Sequence, residues 1–262
     1  MLHYRYADRL EGPWIEPEND LLDGRSLYAA KTAGTNEQRF LCGWIPEKDP
    51  AKNSGQWEWG GNLGTLELVQ APDKTLQTRL PQAVFDLFTP SKAAAAPTEL
   101  VGSAAYADGV LTLQSSPEKS GAFFGTAAPT MLIEADLTFS EGTKYAGLAL
   151  AGAGDALSQS LGINFDLTNG QMEFAASTLD YLKLGEAAVR LPLKLRPGQT
   201  VHVKFLIEND ICNTYVDDVI AMSNRIYGIT GAPWGFYAWD GGLTVENCSV
   251  SILESETKQK GE

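Results

Sequence analysis

Apolar and polar residues alternate with a period of two along much of the chain. Val201, Val203, Phe205 and Ile207 point one way, while His202, Lys204 and Glu208 point the other; Leu206 breaks the pattern. Such alternation marks a strand with one buried face. Gly109–Ser115, Met131–Phe139, Tyr145–Gly152, Leu161–Thr168, Gln171–Thr178, Ile211–Met222, Trp234–Gly241 and Leu243–Leu253 continue it. Asn169-Gly170 and Asp217-Asp218 fall where hairpin tips are needed. About nine short strands in this stretch predict a two-sheet antiparallel β-sandwich over residues 99–254.

The first third reads differently. Ser26–Ala33, Arg39–Pro46, Asn62–Gln70 and Thr75–Pro81 are short strand candidates separated by turn residues such as Asp23-Gly24, Ser54-Gly55 and Pro72-Asp73. Leu2–Asp8 adds one more. Four consecutive strands with tight turns make one propeller blade. Residues 1–88 are therefore expected to form a partial β-propeller of about one blade, with a short helix within Pro81–Phe88. Gly60-Gly61 and Gly241-Gly242 read as turns. The run Thr89–Pro97, small residues between prolines, reads as a linker (89–98). Residues 255–262 read as a flexible tail. The expected fold class is all-β throughout.

Composition narrows the partners. The chain has 262 residues and a net charge of −13. Nucleic-acid binding needs clustered Lys and Arg, and none cluster here. An anionic membrane would repel the chain, and no apolar run is long enough to span one. A neutral partner such as a sugar suits this balance. The start, Met1-Leu2-His3-Tyr4-Arg5, lacks the apolar core of a secretory signal, so the chain as given is expected in the cytoplasm. Cys42, Cys212 and Cys248 are widely spaced, which fits free thiols rather than a metal site or disulfide framework. Only His3 and His202 could serve as imidazoles. No serine triad, metal cluster or glycine-rich phosphate loop is visible, and no cofactor or metal is expected.

Three ordered segments carry a family likeness: Gly12-Pro13-Trp14 followed by Leu22–Gly34, then Arg39–Lys48, then Trp57–Gln70. Together they resemble the later propeller blades of glycoside hydrolase family 32, the β-fructosidases. Tyr215–Gly228 followed by Trp234–Gly242 resembles the end of that family's sandwich. The resemblance implies the C-terminal portion only, a last blade plus the C-terminal sandwich, in a protein acting on sucrose or fructans. The family's three catalytic carboxylates sit in Asn-Asp-Pro, Arg-Asp-Pro and Glu-Cys segments upstream of the matching part. This sequence contains no Asn-Asp-Pro or Glu-Cys. Lys48-Asp49-Pro50 mimics the second motif but follows a different strand and reads as a turn. No catalytic residue is therefore assigned, and the chain alone is expected to be non-catalytic.

Substrate-binding candidates remain. Asp23 matches the family's substrate-contacting Asp, although an Asp before Gly24 is also an ordinary turn-former. Trp44, Trp57 and Trp59 could stack on the apolar C–H face of a sugar, with Glu58 and Asn62 supplying hydrogen bonds; the same tryptophans could equally fill a core. Trp234, Phe236, Tyr237 and Trp239 lie on one strand, so one set must be core and the other could form a sugar platform or an interface. Two other readings stay open: an active β-fructosidase completed by another chain, and a lectin-like carbohydrate-binding module. An incomplete propeller also implies an open edge, covered by a second copy or a partner chain.

Overall fold

In the computed structural model, residues 1–35, 37–150, 157–179 and 187–253 are described. A two-stranded ribbon pairs β1 (Leu2–His3) with β2 (Leu21–Asp23). A four-stranded antiparallel meander follows: β3 (Tyr28–Gly34), β4 (Arg39–Asp49), β5 (Gln56–Gln70) and β6 (Leu76–Arg79), in that spatial order. One helical turn, α1 (Gln82–Phe85), continues into a 3₁₀ turn at Asp86–Phe88.

The remaining strands are β7 (Lys92–Ala93), β8 (Glu99–Val101), β9 (Ser103–Ala107), β10 (Val110–Ser115), β11 (Ser120–Thr126), β12 (Thr130–Phe139) and β13 (Tyr145–Leu150). They continue as β14 (Leu161–Asp166), β15 (Gln171–Thr178), β16 (Ala187–Pro192), β17 (Thr200–Glu208), β18 (Ile211–Val216), β19 (Ile220–Arg225), β20 (Pro233–Trp239) and β21 (Gly241–Ile252). Among the described residues they build two antiparallel sheets. One runs β19-β18-β17-β12-β21-β10-β9, with β7 also on β21; the other runs β16-β15-β14-β13-β20-β11-β8. β7 therefore joins the sandwich from within the stretch expected to be a linker. The tail expected to be flexible lies outside the described residues.

Alternation decides which faces meet. Val201, Val203, Phe205 and Ile207 of β17 face Ala146, Leu148, Ile163, Phe165 and Phe236 from the other sheet in one apolar core. Phe124 and Trp234 stack at 5.1 Å, and Phe139 leans on Phe165 at 5.5 Å. Burying each such side chain contributes roughly 1.5–3 kcal/mol, and Phe236→Ala would cost about 3–5 kcal/mol through the cavity left behind.

A second core explains the break at Leu206. Leu132, Leu206, Tyr215 and Ala221 point away from the sandwich core and pack instead against Leu22, Leu27, Leu41, Ile45 and Leu66. The meander thus lies on the outer face of the eight-stranded sheet, making a third layer, and strands beneath it are apolar on both faces.

Turn chemistry follows local rules. Asp217 and Asp218 both take positive φ (52° and 54°) at the centre of the turn closed by the Val219 amide donating to the Val216 carbonyl, in the three-residue connection between β18 and β19. Gly60 and Gly61, expected in a turn, sit inside the long strand β5. A Cβ on Gly61 would lie 2.2 Å from the Ile45 carbonyl oxygen, so glycine here permits close strand approach.

Candidate functional site

The meander brings part of the expected sugar site together. Tyr28 on β3 meets Trp44 on β4 edge-to-face at 5.0 Å and Trp59 on β5 at 5.7 Å. These rings stand beside an open cleft of about 360 Å³ lined by Arg25, Tyr28, Pro46, Trp57, Glu58 and Trp59, with Met1 at its rim. Trp59 is 77% exposed and Leu63, two registers along the same strand face, is also 77% exposed. Trp57 reaches the cleft while packing against the sandwich core, and the Lys48 ammonium sits 4.4 Å from its ring centre. Burial holds the Lys48 amine down at about 8, assisted by the nearby Arg225 and Arg25 charges. Lys48 donates to the Asn53 carbonyl, and Asp49 closes the hairpin register opposite Gln56, so Lys48-Asp49-Pro50 is a strand end and turn. Glu58 is the carboxylate among the cleft's lining residues.

Asp23 and Asn62 are placed elsewhere than expected. Asp23 is 0% exposed and accepts hydrogen bonds from the Ser223 amide (2.9 Å), the Ser223 hydroxyl (2.6 Å) and the Gly24 amide (2.5 Å). Both carboxylate oxygens are hydrogen-bonded inside the protein and none of the residue is exposed, so it does not present a carboxylate to a sugar. Burial raises its pKa to about 6, opposed by the hydrogen bonds from Ser223 and Gly24. Asn62 accepts from the Arg225 guanidinium at 2.7 Å and serves the junction between meander and sandwich. Asp23 looked like a site residue because a turn-forming Asp before glycine cannot be told from a ligand-facing one without its partner, which lies 200 residues away.

That junction is a polar lock. β19 is the edge of the eight-stranded sheet, and its outward groups are met by side chains rather than by another strand. The Thr78 hydroxyl accepts from the Ala221 amide and donates to the Leu22 carbonyl, while the Thr78 amide donates to the Val219 carbonyl. Asp23 takes the Ser223 amide. Buried Arg225 donates to the carbonyls of Ile45 and Pro46, to Asn62 and to Asp210. Tyr28, Arg25 and Arg225 were not singled out in the sequence; Tyr28 was legible as the aromatic two strands from Trp59, whereas Arg225 gave no signal without its distant partners.

A two-sheet sandwich carrying a four-stranded sheet on its outer face is similar in fold to part of the family 32 glycoside hydrolases. The exo-inulinase of Aspergillus awamori matches 97% of this chain and 50% of its own, with a TM-score of 0.63 at 12% identity. A glycoside hydrolase family 32 protein from Bifidobacterium adolescentis matches 95% of this chain and 35% of its own, with a TM-score of 0.52 at 14% identity. The carbohydrate-binding module CBM66 from Bacillus subtilis covers 59% of this chain and 94% of its own, with a TM-score of 0.50 at 16% identity. The chain spans about half the length of fructosidases it matches, and at these identities the likeness is one of fold. No family model matches the sequence, and no curated protein sequence matches it.

Proposed function

We propose that this chain is a carbohydrate-binding part of a β-fructosidase-type protein and does not cleave glycosidic bonds by itself. The observation that carries this reading is the cleft lined by Tyr28, Trp57 and Trp59, which offers rings to a sugar and has one carboxylate, Glu58, among its lining residues. Glycoside hydrolysis needs two carboxyl groups, about 5–5.5 Å apart for retention or about 6.5–9.5 Å for inversion. Asp23, which the resemblance matches to a substrate-contacting Asp, is committed to Ser223. Stacking of a furanose on Trp59, with Arg25 donating hydrogen bonds to its oxygens and Glu58 accepting from its hydroxyls, would bind a fructose-containing saccharide without reacting with it. The test is incubation of the purified chain with sucrose, inulin and levan. The expected result is no fructose release, together with binding that weakens in Trp59→Ala. Fructose release that survives purification and disappears in Glu58→Gln would overturn the reading.

A second reading rests on the same face. Trp59 and Leu63 are large apolar groups on an exposed sheet, and β3 is an edge strand. Another chain supplying further blades, or a second copy, would cover them. A monomeric mass in solution, unchanged by a Trp59→Ser and Leu63→Ser double substitution, would remove this reading.

A further inference from the structure

The middle of the meander is apolar on both faces, and only one of them is covered. Leu41, Ile45 and Leu66 point into the core shared with the sandwich. The residues between them point the other way, because side chains alternate along a strand. On that outer face Tyr28, Trp44 and Leu63 form one row across β3, β4 and β5. Trp59, further along β5, meets the Tyr28 ring at 5.7 Å. Trp59 and Leu63 are each 77% exposed, and Tyr28 is 46% exposed. Strands apolar on both faces belong inside a stack of layers, and a contiguous exposed patch of this kind marks a contact surface.

Charge is spread unequally along this face. Lys31 stands in register with Cys42 and Thr65, one row beyond Leu63. In the row after that, Glu67 and Arg79 neutralise each other at 3.0 Å. This end is therefore basic. At the other end the carboxylates of Glu47, Asp49 and Glu58 outnumber the cations of Arg25 and Lys48. Glu58 lines the cleft beside Trp59, and a Glu47 carboxylate oxygen lies 3.9 Å from where a Cβ on Gly60 would stand. Lys31, Glu47 and Glu58 are exposed, and none of them makes an ion pair among the described residues. Gly61 lies midway, with Trp59 two residues before it and Leu63 two residues after. It has no side chain to hold a facing sheet away.

We propose that this face docks a second copy of the chain, sheet on sheet, about a two-fold axis that crosses β5 at Gly61. Two sheets so stacked lie about 10 Å apart. The axis runs across the strands, so β5 lies antiparallel over the second copy's β5. Trp59 then covers the second copy's Leu63, and Leu63 covers its Trp59. The same operation lays the Lys31 end of each copy over the carboxylate end of the other. A two-fold interface must be complementary to itself, and the charges of this face meet that condition. Stacking the strands in parallel would set like charge on like, which is disfavoured. A chain that supplied further blades would not require opposite charges at the two ends of one face. The inference rests on the second reading above, that another chain covers this face, and names that chain. Trp59 serves a saccharide or the second copy, one at a time.

The experiment is sedimentation equilibrium of the full chain from about 1 to 100 μM, a range that spans dimers of modest affinity. Lys31→Glu, Glu58→Lys, their combination, and a Trp59→Ser and Leu63→Ser double variant are compared with the unaltered chain. Each is checked for native circular dichroism; all four positions are exposed, so the fold is retained. The expected result is twice the 28.3 kDa chain mass for the unaltered protein and a monomer for the double serine variant. Lys31→Glu and Glu58→Lys should each raise the dissociation constant about tenfold, and their combination should restore it. A monomer throughout overturns the inference but leaves the face open to a different chain, the reading beneath it. A dimer that the two serine substitutions do not weaken overturns both. A dimer lost with those substitutions, yet not restored by the charge exchange, overturns the antiparallel pairing proposed here.

Discussion

Replacing Asp23 by asparagine keeps the shape of a fully buried side chain and removes its charge. In the folded protein burial lifts its pKa from 3.8 to about 6. The native state therefore binds this proton more tightly than the unfolded chain, and stability falls as pH rises between those two values. Two pH units correspond to about 3 kcal/mol, at 1.36 kcal/mol each. Asparagine retains an oxygen for the Ser223 and Gly24 amides, and the Ser223 hydroxyl can turn to accept from its amide. Asp23→Asn should therefore match the unaltered protein near pH 4 and exceed it by up to about 3 kcal/mol at pH 8. Asp23→Ala leaves the Ser223 and Gly24 amides unpaired and should lose about 2–4 kcal/mol at pH 4, a deficit that shrinks toward pH 8 because the titrating carboxyl is gone as well. Urea unfolding followed by tryptophan fluorescence at pH 4, 6 and 8 measures all three. Equal pH dependence in Asp23→Asn and the unaltered chain would refute the reasoning, because Asp23 would then not be the titrating group.

Three further outcomes are expected. Arg225→Met strips donors from Ile45, Pro46, Asn62 and Asp210 and should cost about 3–5 kcal/mol; a loss under about 1 kcal/mol in urea would show the junction is not held there. The His202 pKa is raised, chiefly by hydrogen bonding to Glu134 and then by Asp136. Its stabilising charge is present below 6.5 and fades as pH rises through the folded value. The ring is 41% exposed, so solvent screening keeps the effect under about 1 kcal/mol; a proton resonance titration of the ring with a midpoint below 6.5 would contradict it. Gly61→Ala places a methyl group against the Ile45 carbonyl and should weaken the meander, read as a lower melting temperature.

Much of the fold was legible because a sheet buried on one face writes a period of two into its strands, as in β17 and β12. The places that blurred were those covered on both sides. Leu206 looked like an error in the pattern until the meander was found lying over it. Short strands such as β7 and β8 carry too few residues for alternation to register, and β11 is interrupted by glycine and buried on both faces. Gly60-Gly61 misled because glycine marks turns and close strand approaches alike. In the expected site, the tryptophans were legible from their clustering, since Trp44, Trp57 and Trp59 fall on paired strands. Asp23 was not, because its role is set by Ser223 across the whole chain.

The side chains that close the β19 edge also link positions far apart in sequence. Asp23 meets Ser223 across 200 residues, Asn53 meets Tyr227 across 174, and Thr78 meets Ala221 across 143. The meander is synthesised before the sheet that covers its apolar floor, which is complete only after β21 has been made. Such long-range closure slows folding. Until then Leu22, Leu41, Ile45 and Leu66 stay open to other chains, so the nascent protein is vulnerable to aggregation until β21 has been made.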